Sequence, residues 1–188
     1  MATIGLTNLH YAIMTTEDTA TTAPVYTTPK RLVGVNSVSI SPENDTATLY
    51  GDNTALATVS KTKKRTITLE IADLPPEDKA AILGHSYDSN TKVMSVNAED
   101  NPPYVAIMHE VNNHKGQKEY HVFYKGKFAP AQEDINTEGE SLEFGLHTLE
   151  GDFVSRTDNG KIEDVKYADG TDTTIATTFF ASVGGGLA

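Results

Sequence analysis

The 188-residue sequence contains no cysteine and no tryptophan. Without cysteine, the chain cannot be a small secreted domain stapled by disulfides, and thiol catalysis and cysteine-ligated zinc are also excluded. The absence of tryptophan removes the side chain best suited to stack on sugar rings or to build an aromatic cage. The composition therefore disfavours disulfide-stapled, thiol-dependent and sugar-stacking proteins.

Long apolar segments are absent as well. No apolar run approaches the ~20 residues needed to cross a bilayer. Met1–Thr7 lacks the basic start and apolar stretch of a signal peptide. We therefore expect a protein that does not associate with membranes and that folds in a cytoplasm.

Positive charge is scarce, and the net charge is −11 with a pI near 4.9. Such a surface repels nucleic-acid phosphates, which argues against a grip on DNA or RNA but not against a wall past which DNA slides. The length fits one domain, 1–188. The modest hydrophobic fraction of 38% predicts a thin core, as in a β-sandwich or partial barrel.

Alternation of apolar and polar residues predicts a mainly β chain of about eight strands. In Arg65–Ile71, for example, Ile67, Leu69 and Ile71 share one face, whereas Thr66, Thr68 and Glu70 share the other. The other predicted extended segments are Arg31–Ile40, Val93–Val96, Tyr104–Val111, Glu119–Lys125, Lys127–Ile135 and Ser141–Leu149 with an extension over Phe153–Thr157. In Ser141–Leu149 the predicted shared face consists of Leu142, Phe144, Leu146 and Thr148.

Two helices and an N-terminal arm complete the predicted organisation. Asp73–Asp78 places prolines and acids at a helix start, and Gly84 provides a C-terminal stop for a short helix outside the sheet. Asp172 is a candidate cap for a last helix within a C-terminal segment, 173–188. Residues 1–30 form the predicted arm, with a short extended piece before Thr15–Thr28; this arm is either a free terminus or docks on a neighbour.

The segment Ser41–Lys64 is a long polar hairpin excursion with few apolar residues of its own. It ends in a cluster of positive charge, Lys61, Lys63, Lys64 and Arg65. The cluster either discourages edge pairing as a solvated strand start or attracts a negative partner. A second copy of the same acidic chain is the most economical such partner.

Candidate catalytic and metal-binding residues form no convincing constellation. His109, His114 and His121 lie near one hairpin beside Glu110, but adjacent strand residues face opposite ways, so a third ligand is missing. The acids Glu133, Asp134, Glu138, Glu140 and Glu143 lack the aromatic walls of a glycosidase cleft. Asp164, Asp169-Gly170 and Asp172 give only a fragment of a calcium loop. We predict no cofactor, no metal site and no enzymatic activity.

The order of elements resembles a known family. Arg31–Val35 leads to Ser37–Pro42, and the polar loop carries Tyr50–Asn53. A strand, Ala72-Asp73-Leu74-Pro75, a short helix and Leu83-Gly84-His85 follow. This run resembles the major tail protein (tail tube protein) family of long flexible-tailed bacteriophages of Gram-positive hosts. Residues 31–85 carry most of the resemblance. In the Phe179-Phe180 pair, Phe179 stands where the family often has tryptophan.

The resemblance implies a structural subunit of a virion tail. Such proteins form hexameric rings that stack into a tube, each subunit adding sheet to a continuous barrel, with genomic DNA passing through the lumen unbound. It implies other tail proteins as partners: tape measure, tail terminator and distal tail proteins. Under this resemblance we expect 41–64 to be the stacking segment and acidic residues to line the lumen. The predicted inter-ring contact residues are Asp45, Leu49, Tyr50, Asp52, Leu56, Lys61, Lys63, Lys64 and Arg65.

Two alternatives remain open at this point. A tube subunit of a phage-derived bacteriocin or secretion-like particle would have the same sequence features, and neighbouring capsid genes would distinguish it. A carbohydrate-binding β-sandwich belongs to another class and would need aromatic platforms, which the absent tryptophan disfavours.

Overall fold

The computed structural model describes residues 3–130, 145–168 and 174–187. Those residues form a mainly β fold with eleven strands and two short helices. In chain order the elements are β1 (Thr3–Thr16), β2 (Val25–Tyr26), β3 (Lys30–Arg31), β4 (Val35–Gly51), β5 (Thr54–Ile71), α1 (Pro76–Leu83), β6 (Ser86–Asp88), β7 (Val93–Ser95), β8 (Val105–Asn113), β9 (Lys118–Pro130), β10 (His147–Phe153), β11 (Glu163–Ala168) and α2 (Ile175–Thr178).

Nine of these strands form one antiparallel sheet, in the order β2-β1-β8-β9-β10-β5-β4. Strand β3 also pairs with β1, and β11 pairs with β9 beyond the end of β10. Strands β6 and β7 form a separate hairpin. The arrangement confirms the predicted sandwich or partial barrel with one helix outside the sheet.

The larger core lies on one face of this sheet. Ile67, Leu69 and Ile71 of β5 are fully buried there, while Thr66, Thr68 and Glu70 face the other way, as the alternation predicts. Helix α1 covers this core with Ile82 and Leu83. Its predicted start and stop are confirmed, because Pro76 opens it and Gly84 ends it in a left-handed conformation at φ 73°.

A smaller core lies on the opposite face of β8 and β9. Tyr120 and Val122 of β9 pack there against Ile175 and Phe179 near the C-terminus. The last helix is much shorter than predicted, since α2 spans only Ile175–Thr178 and turns follow it. Three consecutive β-branched residues, Thr173, Thr174 and Ile175, stand at its start. Such residues lose side-chain freedom in helices, which disfavours a longer helix. The proposed cap Asp172 lies outside the described residues.

The N-terminal residues differ from the predicted arm. Thr3–Thr16 is a full strand of the main sheet, paired with β8, and Leu9 and Tyr11 belong to the larger core. Two irregularities in this pairing shift the alternation, which is why periodicity in the sequence is weak. The following loop docks on its own chain through a buried ion pair between Asp18 and Lys125, 2.5 Å apart.

The polar excursion is not a loop but a regular two-stranded ladder. Strands β4 and β5 stay paired from Val35 opposite Ile71 to Gly51 opposite Thr54. Pro42, within the segment predicted to break the strand, sits inside β4. Proline is tolerated there because β4 is the edge of the sheet, so its missing N–H leaves no partner unsatisfied.

The remaining strands confirm some predictions and correct one. The β8–β9 hairpin and the strand at Val93–Ser95 are confirmed. Strand β10 begins later than predicted and crosses Gly151 to end at Phe153. It buries Leu149 and Phe153 rather than the face of Leu146 and Thr148, because its register with β5 places the odd-numbered residues on the core side. Leu142 and Phe144 lie outside the described residues, and β11 has no counterpart in the predicted strands.

Candidate functional site

The outer part of the β4–β5 hairpin, residues 43–64, projects from the sheet and is here called the distal hairpin. Almost all of its residues are exposed on both faces, in contrast to the buried strand that follows it. The turn at its tip consists of Asp52 and Asn53, with φ values of 49° and 58°. Two left-handed residues in a two-residue connection are the turn geometry that matches the twist of paired strands.

One face of the distal hairpin is a ladder of hydroxyl groups. Side chains alternate between the two faces of paired strands, so residues 44, 46 and 48 share a face with 58, 60 and 62. Hydrogen bonds join Thr46 to Ser60 (3.2 Å), Thr48 to Thr58 (3.3 Å) and Thr62 to Asn44 (3.1 Å). These cross-strand pairs hold the two strands in register without a core.

The other face of the distal hairpin is apolar. The cross-strand pairs Ala47–Val59 and Leu49–Ala57 lie there, above the charged pair Asp45–Lys61. Leu49 is 64% exposed and Val59 is 57% exposed, so nothing in the described chain covers this face. The distal hairpin is thus amphipathic, a pattern that the sequence analysis missed although the period-2 alternation of Ala47, Leu49, Ala57 and Val59 carries it.

The tip adds two more exposed apolar side chains, Tyr50 and Leu56, which are 68% and 67% exposed. The pairing shifts register between Leu49 and Tyr50. Leu56 lies over Gly51, and a Cβ at position 51 would stand 2.4 Å from the Leu56 Cδ1 atom. The absence of a side chain at position 51 therefore lets Leu56 fold back over the turn, and the tip presents an apolar surface beside Asp52.

The cationic cluster at the base of the distal hairpin is largely paired within its own chain. Lys64 Nζ lies 2.7 Å from Asp152 and 3.4 Å from Glu43, and Lys63 reaches Glu43 at 3.8 Å. Arg65 pairs with Glu163 of β11. Hydrogen bonds from Lys64 and Thr66 hold the pKa of Asp152 below its usual range.

The structure therefore divides the nine predicted contact residues into two groups. Those nearer the tip lie on the exposed hairpin: Asp45, Leu49, Tyr50, Asp52, Leu56 and Lys61. Lys63, Lys64 and Arg65 lie at its base and bind acids of the same chain. The cations at the base are thus engaged within the subunit, whereas the residues nearer the tip are exposed.

A second surface, polar and partly to fully exposed within the part of the chain that the structure describes, lies on the sheet itself, opposite the larger core. Across β4, β5 and β10 its facing positions align in rows, such as Ser39–Thr68–Glu150 and Ser41–Thr66–Asp152. We call this surface the polar sheet face; its members are Ser37, Ser39, Ser41, Thr66, Thr68, Glu70, Thr148, Glu150 and Asp152. It carries three carboxylates among small hydroxyl side chains and has no large apolar residue.

The histidines form a stack rather than a ligand set. His109 and His121 are cross-strand neighbours, with ring centroids 4.9 Å apart. His109 is 2% exposed, and its Nδ1 atom finds no hydrogen-bond partner among the residues that the structure describes. Burial, with a smaller contribution from the charge on His121, lowers the pKa of His109 to about 3. His121 instead bonds through Nδ1 to Glu163 at 3.0 Å.

Other candidate ligands do not converge. Within residues 3–130, 145–168 and 174–187, no group of three or more histidine and carboxylate side chains is placed to hold a metal ion. Asp164 accepts hydrogen bonds from Tyr124 (2.6 Å) and Lys161 (2.8 Å). The acids from Glu133 to Glu143, together with Asp169 and Asp172, lie outside the described residues. Among the helices that the structure describes, none has the length and apolar character to cross a membrane.

Comparisons with known proteins place the chain in a family. A search of curated proteins finds no significant match. A family model described as a phage tail tube protein matches residues 1–174, which is most of the chain. The matched region includes the distal hairpin, α1 and the whole main sheet. The chain belongs to the phage tail tube protein family, and it is a structural subunit of a virion tail.

Proposed function

We propose that this tail tube subunit assembles into stacked rings, hexameric as the resemblance implies, and that the distal hairpin joins each ring to the next. The observation that carries the proposal is the uncovered apolar face of the distal hairpin. Leu49, Tyr50, Leu56 and Val59 are each more than half exposed in the isolated subunit. A monomer gains nothing from leaving these side chains in water, whereas burial stabilises each by about 1.5–3 kcal/mol.

The position of the hairpin favours contact with a different ring rather than with a neighbour in the same ring. It extends beyond the sheet by nine residue pairs, from Glu43 opposite Lys64 to Gly51 opposite Thr54. A contact between two different surfaces of identical subunits closes into a ring when its repeated rotation closes, and it generates an open helical assembly when each step also advances along the axis. A tube is such an assembly.

The edge of the sheet supports a contact within a ring. Strand β4 pairs only with β5 among the described strands, so its outer edge from Val35 to Ser41 is free to accept a neighbour's strand. Addition of strands at such edges would extend the sheet from subunit to subunit. The continuous barrel of the proposed ring follows from this addition.

The polar sheet face is the proposed lumen wall. It lies opposite the core that α1 covers, so closing the barrel with the helix outside directs this face inward. Glu70 and Glu150 give it negative charge, which repels the phosphates of passing DNA, whereas Asp152 is compensated by its ion pair with Lys64. The small hydroxyl side chains leave no large apolar group on which a base could stack.

Shortening the hairpin tests the axial contact. Replacing residues 46–60 by Asn-Gly joins the paired residues Asp45 and Lys61 through a two-residue turn, which preserves the sheet. We expect folded subunits that form no tubes in electron micrographs. As a matched control, Thr48→Ser with Thr58→Ser changes the opposite face and leaves assembly intact. Long tubes from the shortened chain would contradict the proposed role.

Cysteine labelling tests the lumen, because the natural chain has no cysteine. Glu150→Cys places a thiol on the polar sheet face, and Glu77→Cys places one on α1; both positions are exposed in the subunit. In assembled tubes we expect a bulky maleimide to label Glu77→Cys as fast as it does in unassembled subunits. We expect it to label Glu150→Cys far more slowly in tubes than in subunits. Equal labelling of both tubes would place the polar sheet face outside.

The proposed partners are further copies of this chain and the other tail proteins that a tube meets at its two ends and in its lumen: terminator, distal tail and tape-measure proteins. Assembly in the cytoplasm of the host belongs to the same proposal. A bacteriocin tube would use the same contacts without a genome.

A further inference from the structure

We infer that the tip of the distal hairpin docks into a groove between β1 and the segment Arg31–Val35 of a second copy, with Tyr50 in the groove and Asp52 beside Arg31. This inference rests on the proposed function and names the receptor for the contact proposed there.

The groove has the size and character of a socket for one side chain. Its volume is about 180 Å³. Apolar side chains line part of it (Leu6, Leu9, Leu32, Val33 and Val35), and polar residues line the rest (Thr7, Asn8 and Arg31, beside Gly34). A cavity of roughly 150 Å³ is known to hold a benzene ring, so the phenol ring of Tyr50 fits. Tyrosine also suits such a position, because its apolar ring is buried while its hydroxyl stays near water.

The groove is built by the fold. Strand β1 is irregular between Thr7 and His10, where Asn8 adopts a left-handed φ of 54°. The Asn8 side chain bonds to the buried Glu110 at 3.3 Å, which fixes this bend. On the other wall Gly34 has a φ of 81°, and a Cβ there would stand 3.1 Å from the Asp73 backbone nitrogen. Both walls are therefore anchored to the core, and the site exists before a partner arrives.

The groove and the tip of the distal hairpin carry complementary charges. Lys30 binds Asp78 at 2.6 Å, but the adjacent Arg31 is exposed and has no carboxylate partner among the residues that the structure describes. Asp52 is equally exposed at the tip, and its carboxylate has no cationic partner in that same part of the chain. A contact that places Asp52 beside Arg31 satisfies both groups and sets the orientation of the docked tip.

The two surfaces lie at opposite ends of one element. The groove includes Val35, the first residue of β4, and the tip follows Gly51, its last residue. Seventeen residues separate these ends by about 50 Å of paired strand, so a hairpin cannot occupy its own groove. A second copy can. Tip and groove are different surfaces at opposite ends of the hairpin, so a contact that advances by the length of the hairpin from copy to copy builds an open assembly rather than a closed ring.

Disulfide trapping tests the contact directly, since no native thiol competes. Tyr50→Cys with Val33→Cys places one thiol at the tip and one in the groove. Tyr50→Cys with Val96→Cys is the matched control, because Val33 and Val96 are 66% and 64% exposed. After mild oxidation of tubes we expect the first variant to give a ladder of covalent multimers in denaturing gels and the control to stay monomeric.

A charge exchange gives an independent readout. Arg31→Glu and Asp52→Arg should each raise the protein concentration needed for tube formation about tenfold or more, because like charges then face each other. The double variant should restore assembly. Each single variant is exposed and keeps the unassembled fold, which circular dichroism verifies.

The possible results separate the two proposals. If the tip–groove cysteines do not crosslink in tubes, or the charge variants assemble normally, the docking inference is wrong and the hairpin contacts another surface. If the shortened hairpin forms tubes, the proposed axial role fails, and the docking inference fails with it.

Discussion

The two halves of the β4–β5 hairpin share one ladder but differ in what surrounds them. In the proximal half, Ile67, Leu69 and Ile71 are completely buried against α1 and the strands of the larger core. In the distal half every large apolar side chain is more than half exposed. The difference shows that strand pairing and core formation are separable, and the proposed axial contact would give the apolar residues of the distal half a surface to bury against.

What holds the distal half together is local. Its strands are rich in threonine, whose branched side chain favours extended backbone, and hydroxyl pairs bridge them. Its turn geometry matches the strand twist, and Leu56 is packed over Gly51. These terms are each small, so the distal half should be the less protected part of the free subunit.

The largest effect should come from truncating matched leucines in the two halves. Leu69→Ala opens a cavity in the core and should lower the free energy of unfolding of the subunit by about 2–5 kcal/mol. Leu49→Ala removes an exposed side chain and should change it by no more than about 0.5 kcal/mol. Chemical denaturation of the unassembled protein measures both.

For tube assembly, as opposed to subunit stability, Leu49→Ala should be the variant with the specific defect. Leu49→Ala should weaken tube formation although the subunit is as stable as before, because the contact surface has lost apolar area. If Leu49→Ala destabilised the free subunit as strongly as Leu69→Ala, the distal half would have a core of its own and the comparison would fail.

Acid should act on the core and spare the distal half, which contains no histidine. Buried His109 stays neutral down to about pH 3, whereas its pKa is 6.5 without burial. Below about pH 6.5 this histidine therefore binds a proton in the unfolded chain but not in the folded chain. Stability should fall by about 1.4 kcal/mol per pH unit as pH decreases from about 6.5. His109 faces His121, whose own contacts are Glu163 and Glu119, so these groups share the site.

A pair of variants isolates this contribution. His109→Phe should flatten the dependence of the unfolding free energy on pH between 6.5 and 5, a range above ordinary carboxylate pKa values. His114→Gln, in the exposed turn of the same β8–β9 hairpin, should leave it unchanged. An unaltered slope in His109→Phe would show that another group controls the acid response.

The smallest effect should come from the hydroxyl ladder. Thr58→Ala removes one cross-strand pair worth about 0.2–1 kcal/mol. Global stability should stay the same, while backbone amides of the distal hairpin exchange up to about fivefold faster in hydrogen-exchange measurements. Exchange in β8 and β9 serves as the internal reference. Faster exchange throughout the sheet would mean that the two halves open together.

The sequence predicts the fold best for strands and helices that have one buried face and one solvent-exposed face. Arg65–Ile71 alternates cleanly, and α1 has proline at its start and glycine at its end, so both are predicted correctly. Strand β1 is buried on both faces and bulged, which removes the alternation that identifies a strand. For β10, the apolar residues point both ways in the sequence, and only pairing with β5 decides which face is inside.

The candidate site is readable in outline only. The polarity of Ser41–Lys64 correctly indicates a segment without a core, and its tip residues are exposed as expected. The cationic cluster is different, because the acids that bind Lys64 and Arg65 come from β10 and β11, far away in sequence. The groove at Arg31–Val35 is also formed by distant segments, and its shape depends on the bend at Asn8.

Pro42 interrupts the row of hydrogen-bond donors along the outer edge of β4. Proline has no N–H, so a strand added along this edge would lose one ladder bond at the midpoint of the hairpin. In the proposed ring, strand addition would therefore be confined to Val35–Ser41 and would stop where the distal hairpin begins. The missing N–H of one proline would thus keep lateral and axial contacts apart, and it discourages indiscriminate pairing along the long exposed strand.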